Sequence, residues 1–195
     1  MCQRIAKHIY NYLSNKGILN QEDEDIYIYA LEVIILNTSI FAVIFMISVM
    51  MKQLETIVSF LLFFVPLRIF CGGYHAPNSE ICFVLSILSY VLVLIIVDNY
   101  PQLYLNEVLQ VITVFMLIIM FILSPLVNEN HPIGEVQYRR NKGIVRLLLV
   151  IDFVLLVLGT ISHMLYCSCL MIFILLNGVL CMIGKTEQVV LQKNN

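Results

Sequence analysis

The sequence predicts an all-α fold: a polytopic helical membrane protein with about six membrane segments and an N-terminal amphipathic interfacial helix. Composition is the first reason, because 61% of the 195 residues are hydrophobic and only 12% are charged, whereas soluble domains average about 45–50% apolar and about 25% charged residues. The second reason is a series of apolar stretches close to the roughly 20 residues that a membrane-spanning helix needs. The third is the distribution of Lys and Arg among the connecting segments.

The first seventeen residues predict an amphipathic helix ahead of the membrane segments. Ile5, Ile9, Tyr12 and Leu13 fall at helical spacing on one face, and polar and basic residues occupy the other. Gly17 can end this helix in a left-handed cap. The helix either lies in the membrane interface or packs on the rest of the protein, and its apolar face fits both interpretations.

Six apolar stretches follow. They are Val33–Met51, Leu54–Phe70, Ile81–Val97, Val108–Val127, Ile144–Ile161 and Met164–Ile183. The first could begin near Ile26, and the second and third are short enough for a tilted or re-entrant arrangement. Asp152 lies inside the fifth stretch, where a carboxylate costs about 2.5–3.5 kcal/mol on the insertion scale. We therefore expect its side chain to face the interior of the helix bundle.

The basic residues predict the orientation of the chain. With six segments and a cytoplasmic N-terminus, the cytoplasmic side holds Arg4, Lys7, Lys16, Arg68, Arg139, Arg140, Lys142, Arg146, Lys185 and Lys193. The opposite side holds Lys52 alone. Because cytoplasmic loops carry an excess of Lys and Arg, this distribution places both termini in the cytoplasm and supports an even number of segments.

The chain is predicted to form a single membrane-embedded domain over residues 1–195. Residues 1–17 would be the amphipathic helix, 26–183 the membrane segments, and 184–195 a cytoplasmic tail. The net charge of −2 gives no indication of nucleic acid as a partner. No metal site is expected either. Cys167 and Cys169 are separated by a single residue, which is closer than usual for two metal ligands, and no second ligand pair lies nearby in the sequence.

The connection between the second and third segments concentrates reactive side chains on the cytoplasmic side. It reads Cys71-Gly72-Gly73-Tyr74-His75-Ala76-Pro77-Asn78-Ser79-Glu80. The two glycines permit backbone angles closed to other residues and allow a ligand chain to approach closely. The same residues also fit a plain interhelical turn, in which Gly-Gly ends one helix and Pro-Asn-Ser starts the next.

Cys82 follows this connection and could form a catalytic pair with His75. On one straight helix the two residues would be about 10.5 Å apart along the axis, too far for a hydrogen bond. Pro77 disfavours helix before it, so His75 belongs to a turn that can fold back over the next helix. With Ser79 or Asn78 as the N-cap, Cys82 lies in the first turn, where the helix dipole favours a thiolate.

Cys71 is the rival nucleophile, four residues before His75. The intervening glycines leave its geometry open, and its place at the end of an apolar segment suits a small packed side chain. Only Cys82 has a helix N-terminus beside it, so the spacing favours Cys82 as the nucleophile and His75 as the base that accepts its proton.

The run from Arg68 to His75, followed by Cys82, resembles the signature of the accessory gene regulator B family of bacterial membrane cysteine endopeptidases, which process a quorum-sensing propeptide. That signature combines an Arg, a Gly-Gly-x-His, and a Cys seven residues after the His. The resemblance extends to the length, the amphipathic N-terminus, the multiple segments, and Pro125, Asn130 and Pro132 before a basic segment. Cys71 is not part of the signature.

The resemblance implies Cys82 as the nucleophile, His75 as its base, and Arg68, Gly72 and Gly73 as supporting residues. The implied substrate is an autoinducer propeptide with an amphipathic leader and an acidic tail. Its tail would be removed through a thioester acyl-enzyme that the substrate then closes into a thiolactone or lactone. No cofactor is required. The implied location is the bacterial cell membrane, and a homodimer is expected from the resemblance and from polar residues inside the segments.

Two other classes of function fit parts of the sequence. A small transporter or a signalling membrane protein without catalysis would use Asp152 and Asn177 as polar residues inside the membrane. A thiol acyltransferase would use the same Cys–His pair on another acyl donor. The basic segment Arg139–Arg146 could hold an acidic tail, although the positive-inside rule alone accounts for its charge.

Overall fold

The computed structural model describes residues 2–18, 24–72, 78–126, 134–164 and 166–194, and most of these residues are helical. The side chains of Cys2 and of residues 190–194 are excepted. The helices are α1 (Cys2–Asn15), α2 (Glu24–Met50), α3 (Leu54–Cys71), α4 (Ser79–Asn99), α5 (Glu107–Leu123), α6 (Glu135–Ile161) and α7 (Tyr166–Asn194), with a 3₁₀ turn at Leu103–Leu105. These ranges contain no strand, which confirms the all-α prediction.

Five helices, namely α2, α3, α4, α6 and α7, are long and apolar enough to cross a membrane. Helix α5 is also apolar but has only 17 residues. It ends at Leu123 and not at the predicted Val127, because Pro125 forces the preceding Ser124 into an extended conformation. The chain is therefore a multi-pass membrane protein.

The ends of other helices also differ from the sequence expectations. Helix α6 begins at Glu135, nine residues before the predicted Ile144. Helix α2 begins at Glu24, close to the earlier of the two starts considered for the first segment. Helix α7 continues through the expected tail as far as Asn194. Residues 184–194 are therefore the last turns of a helix.

The chain divides into two compact units. One comprises Met1–Lys52 and Ala76–Tyr90, and the other comprises Gln53–His75 and Val91–Asn195. In the first unit α1 packs on α2 through the buried Ala6 and Tyr10, and the rings of Tyr10 and Tyr27 stack with centroids 6.4 Å apart. The prediction of a single domain over residues 1–195 stays a prediction.

The contacts of α1 fit both interpretations of its amphipathic pattern, namely packing on the rest of the protein and lying in the membrane interface. Its packed side is centred on Ala6 and Tyr10, one position away from the predicted apolar residues. Ile5 and Tyr12 remain exposed. One side of α1 thus packs on the protein, while a second apolar strip is available to the membrane interface.

Helix α7 occupies the centre of the second unit. Every residue from Cys167 to Ile174 is buried, as expected for a helix that is apolar on all sides. The core around it draws on α3, α5 and α6 and includes Leu67, Met120, Leu149, Leu170 and Ile174.

Helix α3 changes its winding ahead of Arg68 and Gly72 at its end. Residues Phe60–Phe64 form a π-helical turn, which precedes Pro66. Proline lacks an N–H and crowds the carbonyl one turn earlier, so a local change of winding is a common accommodation. Asn177 of α7 donates a hydrogen bond to the Phe64 carbonyl at 3.4 Å. The last two turns of α3, which carry Arg68 and Cys71, start from this supported point.

Candidate functional site

Helix α3 ends at a position that only glycine can occupy. Gly72 has φ 71° and ψ −152°, a region of backbone space closed to other residues. A Cβ atom there would lie 2.5 Å from the backbone oxygen of Leu126. The Leu126 N–H also donates a hydrogen bond to the Cys71 carbonyl at 2.9 Å. The end of α3 at Gly72 is therefore clamped to the segment that follows α5.

Arg68 lies one turn before this clamp and supports it. Its Nη1 donates to the Gly72 carbonyl at 3.4 Å, and the side chain is half-buried. A guanidinium has five donors, and the Gly72 carbonyl accepts from one of them. The structure thus brings Arg68 and Gly72 together, while the supporting role predicted for both stays a prediction.

Cys82 lies in the first turn of α4. Ser79 is the first helical residue, so Asn78 is the N-cap, which decides between the two caps considered from the sequence. The Cys82 N–H donates to the Asn78 carbonyl at 3.0 Å and is the first amide bonded within the helix. The thiol therefore stands one position further in than a Ser79 cap would place it, still within the turn where the helix dipole acts.

Accessibility separates Cys82 from the other cysteines. Cys71, Cys167, Cys169 and Cys181 are all buried, whereas Cys82 is partly exposed. Among the cysteines whose side chains the structure describes, Cys82 is thus the most accessible one. Its role as the nucleophile stays a prediction.

Two of the predicted site residues, His75 and Gly73, lie outside the described residues. The remaining ones divide between the two units, because Cys82 belongs to the first and Arg68 and Gly72 to the second. The pairing of His75 with Cys82 therefore rests on the sequence alone.

Asp152 faces the interior of the second unit, as its place in an apolar segment predicted. It is only 4% exposed and lies between the core residues Leu149 and Leu156 of α6. Its Oδ2 atom has no hydrogen-bond partner within the described part of the chain.

The basic segment forms the first turns of α6 and is mostly exposed. Arg139 pairs with Glu135 at 3.8 Å, both side chains being more than 80% exposed, so the pair contributes little stability. Lys142 lies over the Tyr138 ring, and Arg146 lies over the Phe121 ring of α5 at 5.0 Å. These contacts leave the segment open to an acidic ligand.

Among the described residues, no group of three or more His, Cys, Asp or Glu side chains could hold a metal ion. Sequence reasoning missed Leu126, whose backbone closes on Gly72. Pro125 is the sequence signal that could have indicated this contact. A proline after an apolar helix predicts a non-helical segment, whose backbone groups can form hydrogen bonds with another part of the chain.

The profile of the accessory gene regulator B family matches residues 6–183. An AgrB-like protein of Clostridium beijerinckii is 25% identical over 197 residues, covering 100% of this chain and 96% of that protein. AgrB-like proteins of Listeria monocytogenes serovar 1/2a and Listeria innocua are 28% and 27% identical, each over 70% of this chain and 69% of the relative. No solved structure matches. The chain therefore belongs to the accessory gene regulator B family, whose role is in quorum sensing.

Proposed function

We propose that this protein is a membrane cysteine endopeptidase that removes the C-terminal tail of a quorum-sensing autoinducer propeptide. Cys82 is the nucleophile, His75 is the general base, and Arg68, Gly72 and Gly73 support the site. The protein works in the bacterial cell membrane with both termini in the cytoplasm, where the reducing environment keeps the thiol free. No cofactor takes part.

The observation that carries this proposal is the position of Cys82. Its side chain is partly exposed in the first turn of a 21-residue helix, while the other described cysteines are buried. A thiol near a helix N-terminus is stabilised as the thiolate, which is the reactive form. Family membership supports the same residue, because the Cys follows the Gly-Gly-x-His at the characteristic distance.

The reaction proceeds in two steps. The Cys82 sulfur attacks the carbonyl carbon before the tail, His75 takes the thiol proton, and the tail leaves as a free amine after receiving that proton. The product is a thioester between Cys82 and the shortened propeptide. A Cys or Ser inside the propeptide then attacks the same carbonyl carbon, and its proton passes through His75 to the departing Cys82 sulfur. The bond between Cys82 and the acyl group breaks as the thiolactone or lactone ring closes.

Arg68 and the basic segment explain why the substrate tail should be acidic. Arg68 lies beside the Gly72 carbonyl, and its guanidinium is a cation of the kind that attracts carboxylates. Arg139 and Arg140 are exposed at the start of α6. Attraction of an acidic tail to these cations would orient the propeptide and would weaken as salt concentration rises.

The test is a mass spectrum of the protein in lipid nanodiscs after incubation with a propeptide that has an amphipathic leader and an acidic tail. We expect an adduct on Cys82 that adds the mass of the propeptide without its tail less one water, and no adduct in Cys82→Ala. His75→Ala should slow adduct formation, because the thiol then loses its base. An adduct on any other cysteine would contradict the assignment. An adduct from an acyl donor that is not a peptide would indicate an acyltransferase.

The buried carboxyl of Asp152 favours a second candidate, a small transporter in which this group lies on a polar path. The two candidates differ in which variants they tolerate. A transporter would withstand Cys82→Ser and His75→Ala but lose function in Asp152→Ala. A peptidase would lose tail removal in Cys82→Ser and His75→Ala. It would retain tail removal in Asp152→Ala, provided that this variant inserts normally into the membrane.

A further inference from the structure

The charged side chains of α1 are all positive. Residues 1–21 contain Arg4, Lys7 and Lys16 but no Asp or Glu, although the whole chain has 13 acidic and 11 basic residues. All three basic side chains are exposed. None of them forms an ion pair with an acidic side chain in the part of the chain that the structure describes. Helix α1 is therefore a positively charged surface on a chain whose net charge is −2.

Helix α1 is fixed to the first turn of α2. Ala6 and Tyr10 are its buried residues, and the Tyr10 ring stacks on Tyr27, three residues after the start of α2 at Glu24. Tyrosine is common at the boundary between lipid headgroups and hydrocarbon. Because α2 is long and apolar enough to cross a membrane, a helix packed on its first turn lies at the level of the headgroups.

A second face of α1 stays exposed beside the packed one. Ile5, Tyr12 and Lys16 are seven and four residues apart, so they share a face about a third of a turn away from Ala6 and Tyr10. Ile5 is 41% exposed and Tyr12 is 57% exposed. The Lys16 ammonium lies over the Tyr12 ring, 4.6 Å from its centroid, and so borders the apolar surface. This face thus combines apolar side chains with a cation at the depth where a bilayer does the opposite, with hydrocarbon beneath phosphate.

We infer that the face of α1 formed by Ile5, Tyr12 and Lys16 binds anionic phospholipid, with the apolar side chains among the upper acyl chains and Lys16 beside the headgroup phosphates. Charge complementarity selects this partner, since apolar contact alone would not distinguish one headgroup from another. A basic side chain near an anionic membrane surface strengthens binding by about fivefold. Helix α1 of a second copy would bring like charges together, which disfavours it as the occupant of this face.

This inference goes beyond the proposed peptidase activity and does not depend on it. No residue of this face belongs to the site proposed around Cys82. An inactive Cys82→Ala protein should therefore prefer anionic lipid as strongly as the unmodified chain, and the preference can be measured without any substrate.

The experiment uses the absence of tryptophan from the sequence, because a single introduced indole then reports on one position. Tyr12→Trp exchanges one exposed aromatic side chain for another. The protein is placed in nanodiscs that contain phosphatidylglycerol and phosphatidylcholine, one of which has brominated chains that quench a nearby indole. We expect brominated phosphatidylglycerol to quench the indole at position 12 more strongly than brominated phosphatidylcholine does. The matched control is Asn11→Trp, an exposed position on the side of α1 away from this face, where either lipid should quench far less.

Substitution of Lys16 in the Tyr12→Trp protein then tests the charge. Lys16→Gln should reduce the preference for phosphatidylglycerol by about fivefold. Lys7 is nine residues from Lys16 and therefore on the opposite side of the helix. Lys7→Gln should change the preference much less, because a helix diameter is about one Debye length.

Three results would overturn the inference. Equal quenching of the indole at position 12 by the two lipids would mean that this face does not recognise charge. Equal effects of Lys16→Gln and Lys7→Gln would mean that only the total charge of α1 matters. An indole at position 12 that neither lipid quenches would mean that water or protein, and not the bilayer, covers this face.

Discussion

Cys71 and Cys82 flank the same short connection, yet the two residues occupy opposite kinds of helix end. Cys71 is the last residue of α3, only 2% exposed and part of the core that α5, α6 and α7 complete. Cys82 is in the first turn of α4 and partly exposed. The two thiols are chemically identical, so their different potential for reaction comes from their surroundings.

The difference shows what a helix end contributes to a cysteine. At the end of α3 the free backbone groups are carbonyls, and the Cys71 carbonyl accepts a hydrogen bond from Leu126. Carbonyl groups and apolar neighbours both disfavour a thiolate. At the start of α4 the free groups are N–H donors, which favour it. The position of a cysteine at a helix terminus therefore predicts its reactivity only when it is known whether that terminus is the N-terminal or the C-terminal end.

The largest expected effect separates the two cysteines by activity. Cys82→Ala should reduce kcat/KM for tail removal by roughly 10⁴-fold or more, since loss of the nucleophile disables the catalytic group as a unit. Cys71→Ala removes one buried sulfur, costs about 1 kcal/mol of stability, and should leave tail removal largely intact. Propeptide processing in nanodiscs measures both variants. If Cys71→Ala were inactive and Cys82→Ala active, Cys71 and not Cys82 would be the nucleophile.

The next effect concerns the clamp that follows Cys71. Gly72→Ala should lose about 1–3 kcal/mol to backbone strain and roughly 1–3 kcal/mol more to crowding against the Leu126 oxygen. Tail removal should fall with it, because Arg68 would lose the carbonyl that it holds. Thermal unfolding in detergent, together with processing rates, measures the two consequences.

Gly17 offers the matched control for this substitution. Its φ is also +71°, but a Cβ there would meet nothing within 4 Å. Gly17→Ala should therefore show the strain alone, about 1–2 kcal/mol. Equal losses in both variants would mean that contact with Leu126 does not matter at Gly72.

The smallest effect is a difference in labelling rate. In the folded protein a water-soluble maleimide should modify Cys82 about tenfold faster or more than Cys71, because only exposed thiolates react readily. Mass spectrometry of the fragments identifies the labelled residue, and denaturation should make the two rates similar. Faster labelling of Cys71 in the folded state would contradict the burial described above.

The sequence predicted the helices well because their apolar lengths are a local property. The five helices long enough to cross a membrane, the burial of Asp152 and the glycine at the end of α3 all follow from composition and short patterns. The sixth predicted segment is the shorter apolar helix α5. The choice between Ser79 and Asn78 as the cap was not decided by sequence, since both side chains can accept the required hydrogen bond.

Long-range pairing could not be predicted in the same way. The contact of Gly72 with Leu126 joins residues more than fifty positions apart, and no local pattern specifies it. The packed side of α1 lies one position away from the side that the sequence predicted, for a similar reason. Helical spacing defines an apolar face about 100° wide or more, and the partner helix decides which part of that face is covered.

The length of α7 has a practical consequence for attaching probes. The helix has 29 residues, so it extends about 44 Å, which exceeds the roughly 30 Å thickness of the hydrocarbon layer. The eleven residues beyond Ile183 add about 16 Å of rigid rod. A fluorescent protein fused after Asn195 would therefore be held at a fixed distance from the membrane surface. Shortening the helix in steps of whole turns would move such a probe by about 5.4 Å each time.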